Sequence, residues 1–420
     1  MFALVDCNNF YVACERLFAP HLEGRPVGVL SNNDGCVIAR SEEFKALDIP
    51  MGIATHKITP SLRRQVTLCS SNYALYGDLS ARVQDVLESR IPGLDPYSID
   101  ECFLDLCGVP GDLEALGREL ITAVACKVGL PVSVGIAPSR TLAKLANRCA
   151  KRQPARPQVC VWHDARALDL EALLRELPLN GIWGIGDRLQ ARLAGQGIVT
   201  ASALRDAPHD WLQRRFGVMV ARTARELAGM PCLQPQELET PRRSVLCSRS
   251  FGKPLGDPGD IRAALRHRCQ RAGEKLRRGD LQARTLGVFL RTNSSPSMPQ
   301  SRTSAWADLP FPSADTLLLN RFAQALLARL WHPGMAYHKL GVMLGDLVPR
   351  RHHQPSLFDG SDPLRQERLM ATWDSIRQRF GYEALTLGVQ AASAAWQMQS
   401  RRRSPCYTTR WRDLPRVGSR

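Results

Sequence analysis

Two adjacent acids, Asp100 and Glu101, lie near the start of an apolar, β-favouring segment at residues 97–106. That pattern predicts a strand that would be buried on at least one face. Adjacent carboxylates repel each other, and their burial costs free energy unless a cation such as Mg²⁺, which prefers oxygen ligands, compensates. Since successive side chains of a flat strand point to opposite faces, both acids can share an ion only where the strand twists or turns, as at a hairpin end. A solvated surface hairpin is the alternative interpretation.

A third acid, Asp6, ends a short apolar run at residues 2–5 and precedes a helix predicted at residues 10–17. An acid where a core strand meets a helix is a common active-site position, although it can also be a helix N-cap. Together with substrate phosphates, three carboxylates can hold two Mg²⁺ ions. Such a pair of ions supports nucleotidyl transfer, in which one activates a hydroxyl and the other neutralises the leaving pyrophosphate.

The segments around the three acids predict a layered unit. Helices are expected at residues 10–17, 80–89, 113–126 and 140–150, and a strand is expected at residues 132–137. The order of these elements favours a mainly antiparallel sheet with helices on one face. That sheet would bring Asp6 beside Asp100 and Glu101.

A small α+β insert interrupts this unit. Its strands, at residues 27–30 and 36–39, flank a Ser-Asn-Asn-Asp-Gly turn whose residue types tolerate positive φ. Residues 166–230 are predicted to be helical, and glycines at residues 181–186 open one of the helices. Free amides at such a helix start can bind phosphate, but the same glycines can simply make a tight turn.

Strands and helices alternate again beyond a linker that ends at Pro241. Strands are predicted at residues 244–248, 284–292 and 339–344, and helices at residues 261–278 and 314–331. The first of these helices is strongly basic, which indicates phosphate contact or a solvated surface. Its cations are Arg262, Arg266, Arg268, Arg271, Lys275, Arg277 and Arg278.

Composition narrows the class of protein. The 420 residues are too many for one core, and 44% hydrophobic residues is typical of folded domains. A formal net charge of +16 favours a polyanionic partner such as nucleic acid. The 13 cysteines form no Cys-x-x-Cys pair, so a zinc site or a redox dithiol is not expected. The absence of a basic leader and of a long apolar run favours a cytoplasmic protein without a membrane partner.

Several longer motifs resemble those of a known protein family. They are Asp-Cys-Asn-Asn-Phe-Tyr at residues 6–11, Leu-Ser-Asn-Asn-Asp-Gly-Cys-Val-Ile-Ala-Arg at 30–40, Tyr-Ser-Ile-Asp-Glu at 97–101, Gly-Ile-Ala at 135–137, Thr-Leu-Ala-Lys-Leu-Ala-Asn at 141–147, Trp-Gly-Ile-Gly at 183–186, Cys-Ser-Arg-Ser-Phe-Gly at 247–252 and Gly-Val-Met-Leu-Gly-Asp at 341–346. Together they resemble the Y-family of lesion-bypass DNA polymerases over essentially the whole chain. Within that family they are similar to the UmuC-type catalytic subunits of bacterial DNA polymerase V.

The resemblance implies an α+β, multidomain right-hand polymerase. Its expected parts are a palm (1–20 and 75–165), fingers (21–74), a thumb with a helix-hairpin-helix (166–233), a linker (234–241), a little finger (242–348) and a C-terminal tail (349–420). Some relatives carry Tyr and Arg where this chain has Glu42 and Lys45, and the polymerase V type shares this chain's choice.

The resemblance also implies roles for individual residues. Asp6, Asp100 and Glu101 would bind two Mg²⁺ ions together with the main-chain carbonyl of Cys7, and Tyr11 would be the steric gate against a ribose 2′-OH. The implied nucleotide contacts are Phe10, Tyr11, Ala39, Arg40, Lys45 and Lys151. The implied DNA contacts are Gly184, Gly186 and Arg249. A sliding-clamp peptide would use Gln354, Leu357 and Phe358, with Pro355 at a position where Leu is more usual.

The activity implied is error-prone translesion DNA synthesis in the SOS response. The implied partners are primer–template DNA, dNTP, the β sliding clamp, a cleaved accessory dimer of the UmuD′ type and a RecA-type recombinase filament. An inactive DNA-binding scaffold and an enzyme of the polymerase IV type are the alternatives. A two-metal nuclease is disfavoured because none of the four implied domains is nuclease-like.

Overall fold

The computed structural model describes residues 1–152, 158–232, 242–292, 301–352, 363–381, 384–388, 396 and 398–415. The chain divides into two compact units, one formed by residues 1–239 with 400–420 and the other by residues 240–399. Residues 349–420, which the sequence suggests as one tail, therefore contribute to both units. Among the helices that can be described, none is both long and apolar enough to cross a membrane.

The first unit contains the three acids predicted to do chemistry. Its strands are β1 (Phe2–Cys7), β2 (Val27–Leu30), β3 (Val37–Arg40), β4 (Thr67–Ser70), β5 (Leu94–Pro96), β6 (Glu101–Asp105), β7 (Val132–Ala137) and β8 (Val159–Val161). Its helices are α1 (Phe10–Phe18), α2 (Glu42–Lys45), α3 (Pro60–Gln65), α4 (Tyr73–Glu88), α5 (Leu113–Val128), α6 (Arg140–Arg152), α7 (Leu168–Glu176), α8 (Asp187–Ala194), α9 (Ala201–Asp206), α10 (His209–Phe216) and α11 (Val218–Leu227).

The main sheet of this unit has the order β5-β6-β1-β7-β8. β1 pairs antiparallel with β6 and with β7, and β5 and β6 form an antiparallel hairpin, whereas β7 and β8 are parallel. The prediction of a mainly antiparallel sheet is therefore confirmed. Asp6 lies directly opposite Glu101 in the register, and Asp100 lies in the hairpin turn that precedes β6.

Helices cover both faces of this sheet, so the expectation of helices on one face was wrong. Ala3 and Val5 of β1 face the core that α1, α4 and α5 complete. Leu4 and Phe103 face the opposite side, where they pack with α6 and with the helices that follow it. The sequence of β7 indicates that both faces are covered. Its six residues are all small or apolar, and all of them are buried.

Gly135 allows α6 to approach β7 closely. An ideal Cβ at this position would lie 2.0 Å from the backbone nitrogen of Asn147 and 2.4 Å from the carbonyl oxygen of Ala143. We expect Gly135→Ala to lower the free energy of unfolding of this unit by about 1–3 kcal/mol or more, because backbone atoms must move apart. Chemical denaturation of variant and parent measures the change.

Gly77, inside α4, provides the matched control for that variant. A Cβ there meets no atom within 4 Å, so Gly77→Ala should raise stability by about 0.5–1 kcal/mol through helix propensity alone. Equal stability of Gly135→Ala and the parent would show that α6 can move without cost.

The insert between α1 and α4 forms its own small sheet, with the order β3-β2-β4. Its core contains Leu30, Val37 and Phe44. The turn between β2 and β3 has positive φ at Asn33 (62°) and Asp34 (52°), as its residue types indicate.

The second unit is a sheet backed by helices. Its strands are β9 (Ser244–Leu255), β10 (Leu281–Thr292), β11 (Arg302–Ser313) and β12 (Tyr337–Pro349), in the antiparallel order β11-β10-β12-β9. Its helices are α12 (Pro258–Arg278), α13 (Thr316–Leu330) and α14 (Pro363–Phe380), and the first two pack their apolar faces on the sheet. β11 and α14 were not predicted from the sequence.

Part of the positive charge of α12 is engaged inside this unit. The Arg277 guanidinium donates to both carboxylate oxygens of Asp374 on α14, at 2.6 and 2.7 Å. Arg271 and Arg278 both form ion pairs with Glu274. Arg268 is 9% exposed, and its burial, with Arg249 nearby, lowers its pKa to about 10. Phosphate contact by the remaining cations of the helix stays a prediction.

Candidate active site

The carboxylates of Asp6, Asp100 and Glu101 come from two separate segments that meet at one edge of the main sheet. Asp6 lies near the C-terminal end of β1 and is 9% exposed. The β5–β6 hairpin delivers Asp100 and Glu101, and the backbone N–H of Cys7 donates to the Asp100 carbonyl at 2.8 Å. The two strands are therefore joined by a hydrogen bond at the site itself.

Ser98 shapes the hairpin turn that carries the acids. Its hydroxyl donates to Asp100 Oδ1 at 2.5 Å and accepts from the backbone N–H groups of Asp100 (3.2 Å) and Glu101 (3.0 Å). Local side-chain bonds of this kind stabilise the turn at residues 97–100, which ends where β6 begins at Glu101. The two acids therefore lie at a hairpin end, the position that the sequence predicted for them.

Two lysines of α6 contact the carboxylates. Lys151 Nζ lies 2.5 Å from Asp6 Oδ1, and Lys144 Nζ lies 2.9 Å from Glu101 Oε2. The two lysines are seven residues apart, which places them on one face of the helix, two turns from each other. A cavity of about 430 Å³ beside them is lined by Asp6, Glu101, Lys144, Lys151, Arg148 and Trp183, among others.

Burial dominates the electrostatics of Asp6. The pKa of that carboxyl is raised to about 7, chiefly because the group is buried; the contact with Lys151 opposes this rise, and the nearby Glu101 adds to it. One lysine thus leaves the buried carboxylate incompletely compensated. A further cation at this position would stabilise the charged form.

The donor set suits a hard cation, although the side chains do not converge on one point. Carboxylate and main-chain carbonyl oxygens are the ligands that Mg²⁺ takes in proteins. Across the residues whose positions are described, no three His, Cys, Asp or Glu side chains are arranged as a metal cluster. Lysine ammonium groups contact Asp6 and Glu101 instead.

Tyr11 belongs to an aromatic cluster beside the acids. Its ring stacks on Tyr76 of α4, with centroids 4.6 Å apart and planes inclined by 19°. The Tyr73 ring meets it edge-on at 6.1 Å. Phe10, one residue earlier, is 3% exposed and packs in the core beneath. Stacking on a fully buried ring gives Tyr11 a restricted orientation.

The predicted nucleotide contacts of the insert are held by polar bonds. Lys45 Nζ donates to Asn9 Oδ1 at 2.9 Å and contacts Glu42 Oε1 at 2.7 Å. Arg40 donates to the carbonyl of Ile49 at 2.7 Å. Ala39 is buried in β3. Asn9, at the N-cap of α1 with φ of 49°, therefore connects the insert to the helix that carries Tyr11.

The remaining predicted contacts lie further along the chain. Gly184 has φ of +84°, which favours glycine, and Gly186 is the exposed N-cap of α8. Arg249 lies in β9 of the second unit, where burial lowers its pKa. Gln354, Leu357 and Phe358, with Pro355, fall outside the described residues.

Comparison with known proteins identifies the family. The profile described as the impB/mucB/samB family matches residues 5–148, that of its C-terminal domain matches residues 242–357, and that of a domain of unknown function (DUF4113) matches residues 367–417. The chain is 40% identical to Protein ImpB of Salmonella typhimurium, over 99% of both chains. This chain belongs to the impB/mucB/samB family. Protein UmuC of Salmonella typhimurium is likewise 40% identical, over 99% of this chain and 100% of its own.

The predicted resemblance to UmuC-type Y-family polymerases is thereby confirmed. The fold agrees with it: a Y-family DNA polymerase chimera of Dbh and Dpo4 superposes with a TM-score of 0.65 over 83% of this chain and 99% of its own, at 20% identity. The α+β, multidomain polymerase architecture of this UmuC-type chain is confirmed as well.

Sequence reasoning about this family member missed several residues of the site. Lys144 could have been found from its seven-residue spacing to Lys151 on a basic helix. Ser98 carries the weaker signal of a hydroxyl two residues before an acid in a turn. The hydrogen bond from Trp183 Nε1 to the Tyr97 hydroxyl (2.9 Å) and the position of Lys144 Nζ over the Tyr97 ring (4.2 Å) join residues 47 or more positions apart, so no local pattern reveals them.

Proposed function

We propose that this protein is a DNA-directed DNA polymerase that copies damaged template strands by two-metal nucleotidyl transfer. The observation that carries the proposal is the meeting of Asp6 with Asp100 and Glu101 at one sheet edge, in a chain that belongs to a polymerase family. Loss of nucleotide incorporation after replacement of either hairpin acid, with DNA binding retained, tests it.

The carboxylates of Asp6, Asp100 and Glu101, with the main-chain carbonyl of Cys7, would hold two Mg²⁺ ions. When bound, such ions lower the pKa of the primer 3′-hydroxyl and neutralise the leaving pyrophosphate. In the reaction the primer 3′-hydroxyl loses its proton to water and its oxygen forms a bond to the α-phosphorus of the dNTP, while the bond between that phosphorus and the bridging oxygen of pyrophosphate breaks. The Cys7 side chain is 4% exposed in the core, so Cys7 would contribute its main chain and not its thiol.

The cations around the acids would bind the triphosphate. Lys151 lies against Asp6, and Lys45 contacts Asn9 and Glu42, so polar partners position both ammonium groups. Preorganised positive charge of this kind stabilises charge that develops on the leaving group. Arg40, tied to the carbonyl of Ile49, would lie near the incoming nucleotide.

Translesion synthesis in the SOS response is the biological role we propose. The small β3-β2-β4 insert would serve as the fingers, and fingers of this size would cover the templating pair loosely, which lowers discrimination by shape. Primer–template DNA would be gripped through the main-chain amides near Gly184 and Gly186 and through Arg249. A cleaved accessory dimer of the UmuD′ type and a RecA-type recombinase filament are the further partners proposed.

Clamp binding is proposed for residues 354–358. Leu357 and Phe358 are large apolar residues in a segment without periodicity, and such anchors in an extended peptide usually fill a partner's pockets. We expect replacement of Gln354, Leu357 and Phe358 by Ala to weaken binding to the β sliding clamp by roughly 30-fold to 1000-fold. Titration of the clamp with parent and variant measures the change.

Two controls accompany the clamp experiment. Ser356→Ala changes the same segment without removing an anchor and should bind the clamp like the parent. Primer extension without the clamp should be equal for the triple variant and the parent. Equal clamp affinity of the triple variant and the parent would show that the segment is only a linker.

A further inference from the structure

The C-terminal residues 400–415 pack on the first unit, next to the helices that carry the aromatic cluster. Arg403 forms a parallel bridge with Ser70, the last residue of β4. The backbone N–H of Ser70 donates to the Arg402 carbonyl at 3.0 Å, and the N–H of Arg402 donates to the Ser70 hydroxyl at 3.0 Å. The segment thus adds to the free edge of the β3-β2-β4 sheet.

Asn72 holds the next residues of the segment. Its side-chain NH₂ donates to the Ser404 carbonyl (3.0 Å), the Ser404 hydroxyl (3.0 Å) and the Pro405 carbonyl (3.1 Å). Its side-chain oxygen accepts from the N–H of Leu75 and caps the start of α4. One buried amide therefore serves both the helix and the C-terminal segment.

Ser404 also reaches α1 through a buried acid. Its hydroxyl donates to Glu15 Oε1 at 3.0 Å, and the Tyr76 hydroxyl donates to the same oxygen at 2.6 Å. Glu15 is 3% exposed, and a carboxylate at that depth requires such donors. Burial raises the pKa of Glu15, and the two hydroxyl donors oppose that shift.

Tyr407 makes a second contact with α1. Its ring stacks on Phe18, the last residue of that helix, with centroids 4.7 Å apart and planes inclined by 13°. Cys406 beside it is buried. The segment therefore touches both α1 and α4, and Tyr11 of α1 stacks on Tyr76 of α4 between the same two helices.

We propose that Ser404 and Tyr407 are positioning residues, which hold α1 against α4 so that the Tyr11 ring stays in place to reject ribonucleotides. The proposal rests on the proposed function, in which Tyr11 closes the space of the ribose 2′-OH. It gives a role to the region that matches a domain of unknown function. Side chains that pack against or hydrogen-bond to the elements carrying a site residue keep that residue within a fraction of an ångström of its productive position.

The test measures the ratio of kcat/KM for a dNTP to that for the matching rNTP. Replacing Ser404 and Tyr407 by Ala together is expected to lower this ratio about 3-fold to 10-fold, while kcat/KM for the dNTP stays within about 2-fold of the parent. A purely structural role would lower incorporation of both nucleotides equally and leave the ratio unchanged. Thr409→Ala, at an exposed site of the same segment, is the matched control and should leave the ratio unchanged.

Conservative variants and a double-mutant cycle complete the experiment. Ser404→Thr keeps the hydroxyl and Tyr407→Phe keeps the ring, so both should retain the ratio of the parent. If the double variant does not fold, the ratio is measured for Ser404→Ala alone, which is expected to lower it. In a Tyr11→Ala background, the substitutions at 404 and 407 should change the ratio no further, because the gate they position is gone.

Three results would overturn the proposal. An unchanged ratio in the folded Ser404 and Tyr407 variants, while Tyr11→Ala admits ribonucleotides, would refute positioning and leave the proposed function intact. A full effect in the Tyr11→Ala background would show that the segment acts on another residue. An unchanged ratio for Tyr11→Ala itself would show that Tyr11 is not the gate, and this proposal would then be refuted as well.

Discussion

We expect replacement of Asp100 by Asn, or of Glu101 by Gln, to abolish nucleotide incorporation and to leave DNA binding intact. Each change keeps the size of the side chain and removes one negative charge from the sheet edge where Asp6 lies opposite Glu101. An amide is a poor Mg²⁺ ligand compared with a carboxylate, and the lost charge also weakens the hold on any second ion. We expect kcat to fall by about 10³-fold or more.

Single-nucleotide incorporation and a DNA-binding titration measure the two effects separately. Asp105→Asn is the matched control, since Asp105 is an exposed acid at the far end of the same strand, opposite Phe2. It should extend primers like the parent. Undiminished extension by the Asp100→Asn, Glu101→Gln double variant would refute the metal-site assignment.

Tyr11→Ala admits ribonucleotides and leaves incorporation of deoxynucleotides largely intact. The ring stacks on the fully buried Tyr76, so its removal opens space beside the sugar without moving the acids of the sheet edge. The ratio of kcat/KM for dNTP over rNTP should fall by roughly 100-fold, which is about the discrimination that a single hydroxyl in a tight pocket provides.

Tyr11→Phe is the control for the gate, because it keeps the ring and removes only the hydroxyl. It should retain the ratio of the parent within about 3-fold. If Tyr11→Ala and the parent have the same ratio, the gate lies elsewhere in the site.

The sheet edge that carries the three acids was predictable because its sequence signals are local. The apolar run before Asp6 and the apolar segment around Asp100 and Glu101 predicted two strands that pair, and the structure places Asp6 opposite Glu101. The adjacent acids required a turn, and Ser98 supplies it. Side-chain alternation and helix periodicity were enough for these conclusions.

The contacts that sequence reasoning missed are long-range. Ser404 lies 389 residues from Glu15 along the chain, and no periodicity relates the two. β11 has small and charged residues between its apolar ones, so its strand pattern is weak, and α14 is held by the contact between Asp374 and Arg277, 97 residues apart. Pairing of this kind depends on the folded arrangement rather than on local sequence.

The most direct measurement of the central claim is primer extension by the purified chain on a template with one abasic site. It is made with and without the cleaved accessory dimer and the recombinase filament, and with the Asp100→Asn, Glu101→Gln variant alongside. We predict Mg²⁺-dependent insertion opposite the lesion and extension beyond it by the parent, and neither by the variant. Absence of incorporation by the parent on both damaged and undamaged templates, with every partner present, would contradict the account.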